Sequence, residues 1–254
     1  MNIDKENIAR HFRRSYLTYE THALAQKHIN VRLGALLDAY CPTMPTPILE
    51  VGCGTGLMTA QLVARYTPLV LWINDLVNTS CTDVATRYFV PFNHCLPGDI
   101  ETIELPQEFH LIVSASTFQW LARPAETFAS LARHLHPEGW LVFSTFGEDN
   151  CKEVKKVTGK GLVYHTTEET KALLTPHFDI VHAEEEHYVL SFDTPMEVLR
   201  HLKLTGVNAV SVSESWTRSC LADFTEKYAL YFADNGTCPL TYHPQYFVCR
   251  LRKT

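Results

Sequence analysis

Residues 48–57, ILEVGCGTGL, constrain the fold of this chain more than any other segment. A short apolar run that contains the acid Glu50 leads into three glycines at alternate positions, Gly52, Gly54 and Gly56. Glycine adopts positive φ angles without strain and leaves no Cβ between the main chain and a ligand. A helix after the loop would present free N–H groups at its first turn. The segment therefore predicts a buried strand, a tight ligand-binding loop and a helix.

Strand-like and helical segments alternate after this loop. Strands are predicted at 69–75, near 92–99, at 109–116 and at 139–146, with amphipathic helices between them. Parallel strands need crossover connections, and helices of about ten residues can supply them. The pattern predicts the α/β class, with a parallel sheet that carries helices on both faces.

The two ends of the chain are expected to be more helical. Apolar residues at three- and four-residue spacing predict helix over 2–40, and the prolines within 41–47 end it. Beyond Phe146 the pattern predicts a helix capped by Thr166 or Thr167, a strand, two helices and a closing strand, at 165–175, 178–192, 193–206, 215–231 and 245–253. We expect one domain over 1–254, with an N-terminal helical segment at 1–40 and a helical insertion at 193–238.

Composition disfavours several classes of protein. The formal net charge is −6, whereas proteins that bind nucleic acid through its phosphates are normally basic. The eight cysteines form no C-x-x-C pair and the 13 histidines no H-E-x-x-H motif, so we expect free thiols and no metal site. No apolar run approaches the roughly 20 residues that span a bilayer, and MNIDKENIARHFRR does not look like a signal peptide. We therefore expect a cytoplasmic protein without a nucleic-acid or membrane partner.

The spacing of the glycines bears on the ligand. Taken alone, the loop could bind a dinucleotide or S-adenosylmethionine. A nicotinamide fingerprint reads G-x-G-x-x-G and places a pyrophosphate at the helix N-terminus, whereas this loop reads G-x-G-x-G. The Glu50 carboxylate would repel a pyrophosphate by about 1 kcal/mol even in water. It would tolerate S-adenosylmethionine, which offers an ammonium group.

Two further acids follow at the ends of predicted strands. Asp75 ends the next strand and can accept hydrogen bonds from both ribose hydroxyls, a feature that dinucleotide sites share. Asp99 ends the following strand, where its carboxylate could meet the exocyclic amine of adenine and Ile100 the adenine edge. These acids indicate an adenosine ligand without deciding between the two candidates.

The combination resembles the class I S-adenosylmethionine-dependent methyltransferases. Three features recur in that family in this order: an acid with G-x-G-x-G, an acid that ends the second strand and an acid near the third strand. Residues 135–146 also resemble the family's turn into its fifth strand. The resemblance implies a doubly wound, mostly parallel seven-stranded sheet, S-adenosylmethionine as cofactor and S-adenosylhomocysteine as product. The cofactor-binding positions that it implies are Glu50, Gly52, Gly54, Gly56, Asp75, Leu76, Asp99, Ile100 and Ser114.

Nearly the whole chain also resembles one family within that class, the malonyl-acyl-carrier-protein O-methyltransferases of biotin synthesis. The matching stretches are 11–26, 48–56, 98–101, 118–124, 143–150, 202–209 and 239–248. The resemblance implies methyl transfer to the free carboxylate of a malonyl thioester on acyl-carrier protein, or on coenzyme A. The alternatives are a related methyltransferase for small carboxylates such as trans-aconitate and, in a different class, a non-catalytic cofactor binder.

A carboxylate is ionised near pH 7 and needs no general base, so the chemistry requires mainly alignment and exclusion of water. An arginine or lysine would suit the acceptor carboxylate, and Arg123, Lys203 and Arg13 are the candidates. Relatives close an N-terminal helical lid over the cofactor, which directs attention to Tyr19 and His22. Further candidates for positioning the substrate are Trp120, Tyr242 and His243. Each of these residues could instead have a packing, turn or surface role.

A cluster of lysines stands out in an acidic chain. Lys152, Lys155, Lys156 and Lys160 lie within CKEVKKVTGKG. The resemblance implies an acyl-carrier protein as partner, and such proteins are acidic. This cluster is therefore a candidate docking surface, and binding of the carrier protein to it would weaken with salt. An ordinary solvated run of charge is the alternative.

Overall fold

The structure is a computed structural model, and it describes residues 3–41, 45–66, 70–206, 216–233 and 236–253. Some predictions fall outside these ranges. They are the first residue of the strand expected at 69–75, the first residue of the helix expected at 215–231, and the parts of the expected insertion at 207–215 and 234–235. The strands in the described ranges are β1 Ile48–Val51, β2 Leu71–Asp75, β3 Cys95–Pro97, β4 Phe109–Ser114, β5 Leu135–Phe146, β6 Phe178–Glu185, β7 Tyr188–Phe192, β8 Cys238–Tyr242 and β9 Pro244–Leu251.

Seven of these strands form one sheet in the order β3-β2-β1-β4-β5-β9-β6. The pairs from β3 to β5 are parallel, and β9 runs antiparallel to both β5 and β6. The predicted α/β class and mostly parallel seven-stranded sheet are confirmed. The chain order reverses between β1 and β4, which places the loops after these strands beside a crevice of the kind that binds ligands in open α/β sheets.

The helices in the described ranges flank this sheet. They are α1 Lys5–His22, α2 Leu24–Tyr40, α3 Leu57–Arg65, α4 Asn78–Tyr88, α5 Pro124–Arg133, α6 Lys152–Thr158, α7 Thr167–Leu174, α8 Pro195–Leu204 and α9 Arg218–Phe232. Thr166 caps α7 through a capping box with Glu169, as its sequence predicts. No helix in the described ranges is both long and apolar enough to cross a membrane.

Two local predictions are wrong. The helix expected over 2–40 is divided at the fully buried Ala23 into α1 and α2, and Thr18 of α1 donates to the carbonyl oxygen of Leu204 in α8. The strand expected over 178–192 is divided into β6, which pairs with β9, and β7, which pairs with β8 in a separate sheet. In each case tertiary pairing overrides a pattern that is uniform along the chain.

The side chains of β1 alternate between the two faces of the sheet. Leu49 and Val51 pack into the cluster that contains Phe128 and Phe143 on the α5 face. Ile48 packs on the opposite face with residues of α2 and α3. Because alternate strand residues share a face, Glu50 lies with Ile48 beneath α3, which determines its environment.

Candidate functional site

A cleft of about 880 Å³, partly open to solvent, lies at the carboxyl ends of β1, β2 and β4. Its floor contains Gly52, Gly54 and the segment 74–77, and Gly98, Asp99 and Ile100 line one side. Helix α1 closes it from above with Lys5, Ile8, Phe12, Tyr16 and Tyr19. The structure therefore brings together most of the cofactor-binding positions expected from the sequence.

The glycine loop approaches its neighbours too closely for a larger residue at Gly52 but not at Gly54. The N–H groups of Gly52 and Cys53 donate to the carbonyl oxygen of Asn74 at 2.8 and 2.9 Å. Gly52 has φ 78°, and a Cβ there would lie 2.1 Å from Oγ1 of Thr117. Gly54 has φ 53°, and a Cβ there would meet nothing within 4 Å. Gly52 is thus needed for packing, whereas Gly54 leaves open space at the floor of the cleft.

Asp75 joins the loop to the next strand. Its Oδ2 accepts a hydrogen bond from the N–H of Gly54 at 2.8 Å, and its Oδ1 accepts one from the N–H of Val77 at 2.8 Å. Burial raises the pKa of Asp75 to about 6, against the opposing effect of these two hydrogen bonds. Each carboxylate oxygen can accept a second hydrogen bond, so both remain able to receive a ligand hydroxyl. Leu76 follows it on the cleft wall.

Glu50 is fully buried beneath the glycine loop and does not line the cleft. Oγ1 of Thr59 in α3 donates to its Oε2 at 2.6 Å, while its Oε1 has no hydrogen-bond partner in the structure. Burial raises the pKa of Glu50 to about 8. Its place directly before the loop suggests that the carboxyl group lies beside the ligand, but the structure places it beneath the loop, against α3.

We expect Glu50 to make the ligand-free protein less stable as pH rises from about 4.5 to about 8. In this range the unfolded chain releases a proton that the folded chain retains, so rising pH favours unfolding. Replacement by glutamine (Glu50→Gln) should remove this part of the pH dependence. Thermal unfolding of both proteins across the range, with the exposed Glu226→Gln as control, measures it. Equal slopes for wild type and Glu50→Gln would contradict the assignment.

Asp99 is engaged by the N-terminal helix. Nζ of Lys5 lies 3.2 Å from Oδ1 of Asp99 and 2.6 Å from Oε2 of Glu101. Burial opposes ionisation of Glu101, but hydrogen bonds from Lys5 and from the N–H groups of Ala122 and Arg123 hold its pKa below the ordinary value. These contacts tie α1 to the rim of the cleft. Lys5 and Glu101 carry no motif, and the sequence analysis missed both.

A second, smaller cavity adjoins the cleft. The two share a wall made by Phe12, Tyr19, Ser116 and Trp120. The remaining lining residues of the second cavity are Gln26, Gln119, Phe146, Asn150 and Tyr164. Of the residues on the shared wall, Tyr19 and Trp120 were expected from the sequence and Ser116 was not. The positive φ of Ser116, 53°, is visible only in the structure.

Several buried polar atoms around these cavities have no hydrogen-bond partner among the described residues. They are Tyr16 Oη, Gln26 Oε1, Thr55 Oγ1, Ser116 Oγ, Gln119 Oε1 and Trp120 Nε1. Buried polar groups in folded proteins are nearly always hydrogen-bonded. Their concentration around one pair of cavities indicates a polar ligand.

Other expected site residues lie away from both cavities. Ser114 Oγ donates to the carbonyl oxygen of Val51 at 2.9 Å, between β4 and β1. Tyr242 is fully buried and its Oη lies 2.8 Å from Nε2 of His201. Arg123 pairs with Glu126 at the start of α5. The lining of the two cavities also does not include Arg13, His22 or Lys203.

His243 belongs to a different cluster. Asp149, His187 and His243 place potential metal-ligating atoms within 4.8 Å of one another. Nε2 of His187 lies 2.9 Å from Oδ2 of Asp149, and the two histidine rings stack at 4.4 Å. These residues are far apart in the chain, so no spacing motif could reveal the group.

The four lysines of the expected docking surface are exposed. Lys152, Lys155 and Lys156 lie on α6, and Lys160 follows it. Nζ of Lys152 lies 3.4 Å from Oδ2 of Asp149. Asp149 belongs to the loop after β5, at the same edge of the sheet as the cleft.

Comparisons with known proteins agree with this architecture. Residues 49–143 match a family model described as a methyltransferase domain. The malonyl-(acyl-carrier protein) O-methyltransferase of Bacteroides thetaiotaomicron is 39% identical over 263 residues, which cover 99% of this chain and 100% of the relative. The protein of the same name from Acinetobacter baylyi is 35% identical over 256 residues, covering 98% of each.

Solved structures show the same fold at low sequence identity. The N-methyltransferase NodS of Bradyrhizobium japonicum, in complex with S-adenosyl-L-homocysteine, gives a TM-score of 0.54 at 15% identity and covers 94% of this chain and 99% of its own. A phosphoethanolamine N-methyltransferase of Haemonchus contortus gives 0.55 at 15% identity, covering 87% and 52%. At this identity the likeness concerns the fold alone.

Proposed function

The chain belongs to the family of the malonyl-(acyl-carrier protein) O-methyltransferases, and we infer that it transfers a methyl group from S-adenosylmethionine to the free carboxylate of malonyl-acyl-carrier protein. The product is a malonyl methyl ester, the starting compound for the pimeloyl chain of biotin. The observation that carries this proposal is the identity of 39% over essentially the full length of both chains.

The residues of the cleft fit the methyl donor. Gly54 leaves room for a ligand at the floor, and Asp75 has acceptor capacity for ribose hydroxyls. Glu50 lies beneath the glycine loop, so its Oε1, which has no partner among the described residues, can receive the ammonium group through a water. If it does, binding should release a proton from Glu50, because a nearby positive charge favours the ionised form. Asp99 would have to leave Lys5 in part to meet adenine.

The reaction requires alignment rather than acid–base chemistry. The donor supplies a methyl group on a sulfonium: an acceptor oxygen bonds to the methyl carbon as the carbon–sulfur bond breaks, and the sulfur keeps the electron pair. No proton moves. The chain's contribution is to hold the carboxylate in line and to exclude water, which Phe12 and Trp120 support by packing edge to face between the two cavities.

We further propose that residues 1–40 act as a lid and that the insertion at 193–238 supports it from the substrate side. Three aromatic residues of α1 line the cleft, Phe12, Tyr16 and Tyr19. Thr18 Oγ1 donates to the carbonyl oxygen of Leu204 at the end of α8, at 3.0 Å. These contacts connect the N-terminal helix to the insertion. The cytoplasmic location expected from the sequence stays a prediction, which fractionation of the source cells would check.

The direct test is mass analysis of malonyl-acyl-carrier protein after incubation with the purified chain and S-adenosylmethionine. We expect a gain of one methyl group, with none on acetyl-acyl-carrier protein, which lacks the free carboxylate. Methylation of free trans-aconitate in preference to the carrier-bound acid would contradict the proposal. Tight binding of S-adenosylhomocysteine without any methylated product would contradict catalysis altogether.

The lysines of α6 give a prediction about the partner. Reversal of Lys155 and Lys156 to glutamate should lower kcat/KM for malonyl-acyl-carrier protein by about tenfold or more, since steering of an acidic partner depends on these charges. The value for malonyl-coenzyme A should change much less. The matched control reverses Arg252 and Lys253, which pair with Asp179 and Glu138 beyond the opposite edge of the sheet. Equal losses on both acceptors, or equal losses in the control, would contradict docking on α6.

A further inference from the structure

The wall shared by the cleft and the second cavity carries two buried, unpartnered hydrogen-bond donors. They are the Nε1 of Trp120 and the Oγ of Ser116. We infer that this wall is the binding site for the acceptor carboxylate, held by these neutral donors and not by a lysine or arginine. The inference rests on the proposed function and specifies the site of its second substrate.

Trp120 is the more informative of the two. Trp120 is only 7% exposed, yet its Nε1, which can only donate, has no partner among the described residues. The ring packs edge to face on Phe12 at 6.1 Å, and the backbone N–H of Trp120 donates to the carbonyl oxygen of Thr117 at 3.0 Å, which fixes the main chain that carries the ring. A fixed donor on a residue that lines both cavities is suited to an anionic ligand.

Ser116 is held in a conformation that favours glycine. Its φ is 53°, and its N–H donates to Oγ of Ser144, which is fully buried, at 3.0 Å. Its carbonyl oxygen accepts from Nε2 of Gln119 at 2.6 Å. Strained residues of this kind persist where the surrounding structure fixes them, and they concentrate at functional sites. The hydroxyl group of Ser116 has no hydrogen-bond partner among the described residues.

Two neighbouring tyrosines are neutral donors as well. Burial raises the pKa of both Tyr19 and Tyr164, so each keeps its phenolic proton. Oη of Tyr164 accepts from Nδ2 of Asn150 at 2.9 Å, which leaves its own hydrogen available. The second cavity therefore offers the hydroxyl groups of Tyr19 and Tyr164 to a carboxylate.

Among the described residues that line the second cavity, none is a lysine or an arginine. The cation on the cleft lining, Lys5, is engaged by Asp99 and Glu101. The cations expected from the sequence lie elsewhere, with Arg123 on Glu126 and Lys203 exposed on α8.

A site without a cation suits the chemistry. The carboxylate loses its negative charge as it is methylated, so a guanidinium against it would stabilise the reactant more than the transition state. Neutral donors position the same carboxylate oxygen atoms without neutralising their negative charge, which is attracted to the sulfonium. The second cavity also shares Gln119, Phe146 and Tyr164 with a larger, mainly apolar groove, which leaves space for the rest of a thioester.

The test begins with the wild-type protein, which must methylate malonyl-acyl-carrier protein. Trp120→Phe keeps the ring and removes the N–H, and Ser116→Ala removes the hydroxyl. Each should raise the KM for malonyl-acyl-carrier protein about tenfold to 100-fold, the usual effect of losing a hydrogen bond to a charged group. The Kd for S-adenosylhomocysteine should stay within about twofold, since hydrogen bonds to the acceptor alone are lost. Trp140→Phe and Ser191→Ala, away from both cavities, are the matched controls.

A spectroscopic measurement separates binding from structure. The chain has four tryptophans, and the indole N–H resonance missing from the Trp120→Phe spectrum identifies Trp120. In the presence of S-adenosylhomocysteine this resonance should move downfield on addition of malonyl-acyl-carrier protein and should not move with acetyl-acyl-carrier protein.

Normal KM values in both variants, or an unshifted indole resonance, would overturn the inference. So would a tenfold increase of KM in Lys203→Met or Arg123→Met, because the carboxylate would then depend on a cation. A wild-type chain that binds S-adenosylhomocysteine but leaves malonyl-acyl-carrier protein unmethylated contradicts the proposed function itself. The two failures are therefore distinguishable.

Discussion

Replacement of Asp75 by alanine is expected to raise the Kd for S-adenosylhomocysteine by about 100-fold or more. The carboxylate does two things at once. It fixes the glycine loop through the N–H of Gly54 and the next turn through the N–H of Val77, each at 2.8 Å. It also offers free lone pairs where the ribose should lie. Hydrogen bonds to charged groups contribute about 1.5–3 kcal/mol each, and the ligand would lose two.

Isothermal titration calorimetry with S-adenosylhomocysteine measures this effect without turnover. Asp38→Ala is the matched control, because Asp38 is an exposed acid that pairs with Arg65 on the outer side of α2 and α3. Its Kd should equal that of the wild type. A normal Kd in Asp75→Ala would remove this residue from the site and with it the proposed position of the ribose.

Gly52→Ala is expected to destabilise the ligand-free protein by about 3 kcal/mol, from two effects. A residue with a Cβ at φ 78° costs about 1–2 kcal/mol. The Cβ would also lie 2.1 Å from Oγ1 and 2.8 Å from Cβ of Thr117, a short side chain that cannot move away, and overpacking of this kind costs about 1–3 kcal/mol. In a chain of this size we expect Tm to fall by roughly 6–12 °C.

Gly54→Ala separates the two contributions. Gly54 also has positive φ, 53°, but an added Cβ would meet nothing within 4 Å. It should lose only the backbone contribution, about 1 kcal/mol, yet its methyl group would project into the cleft and weaken S-adenosylhomocysteine binding. Differential scanning calorimetry should thus show the lower Tm for Gly52→Ala. Titration with S-adenosylhomocysteine should show the weaker binding for Gly54→Ala. Equal Tm values would show that Thr117 yields and that the packing argument is wrong.

The sequence predicted the elements whose signals are local. Glycines at alternate positions after an apolar run identified the loop at 52–56, and the acid at Asp75 marked the end of β2. The alternation of strands and helices was sufficient for the class of fold, since parallel strands require such crossovers. The resemblance to known methyltransferases then supplied the family, which the comparisons support.

The placement of single side chains was less predictable. Glu50 was expected beside the ligand because it precedes the loop, but strand alternation turns it beneath α3, where Thr59 binds it. Arg123 and Lys203 were chosen for their charge, yet charge favours solvent and surface ion pairs over a cavity. Neutral donors such as Ser116 gave no signal, because serine is common and its φ of 53° is a property of the folded chain.

The amino-acid sequence alone determined the order of strands and helices, the glycine loop and the acids at strand ends, because each depends on residues a few positions apart. Only the tertiary structure decided which polar groups meet at the proposed acceptor site. Trp120 and Ser116 lie about a hundred positions beyond Phe12 and Tyr19 in the chain. They share a wall because the division at Ala23 lets α1 lie over the carboxyl edge of the sheet. Packing between distant elements produces that contact, and no local pattern records it.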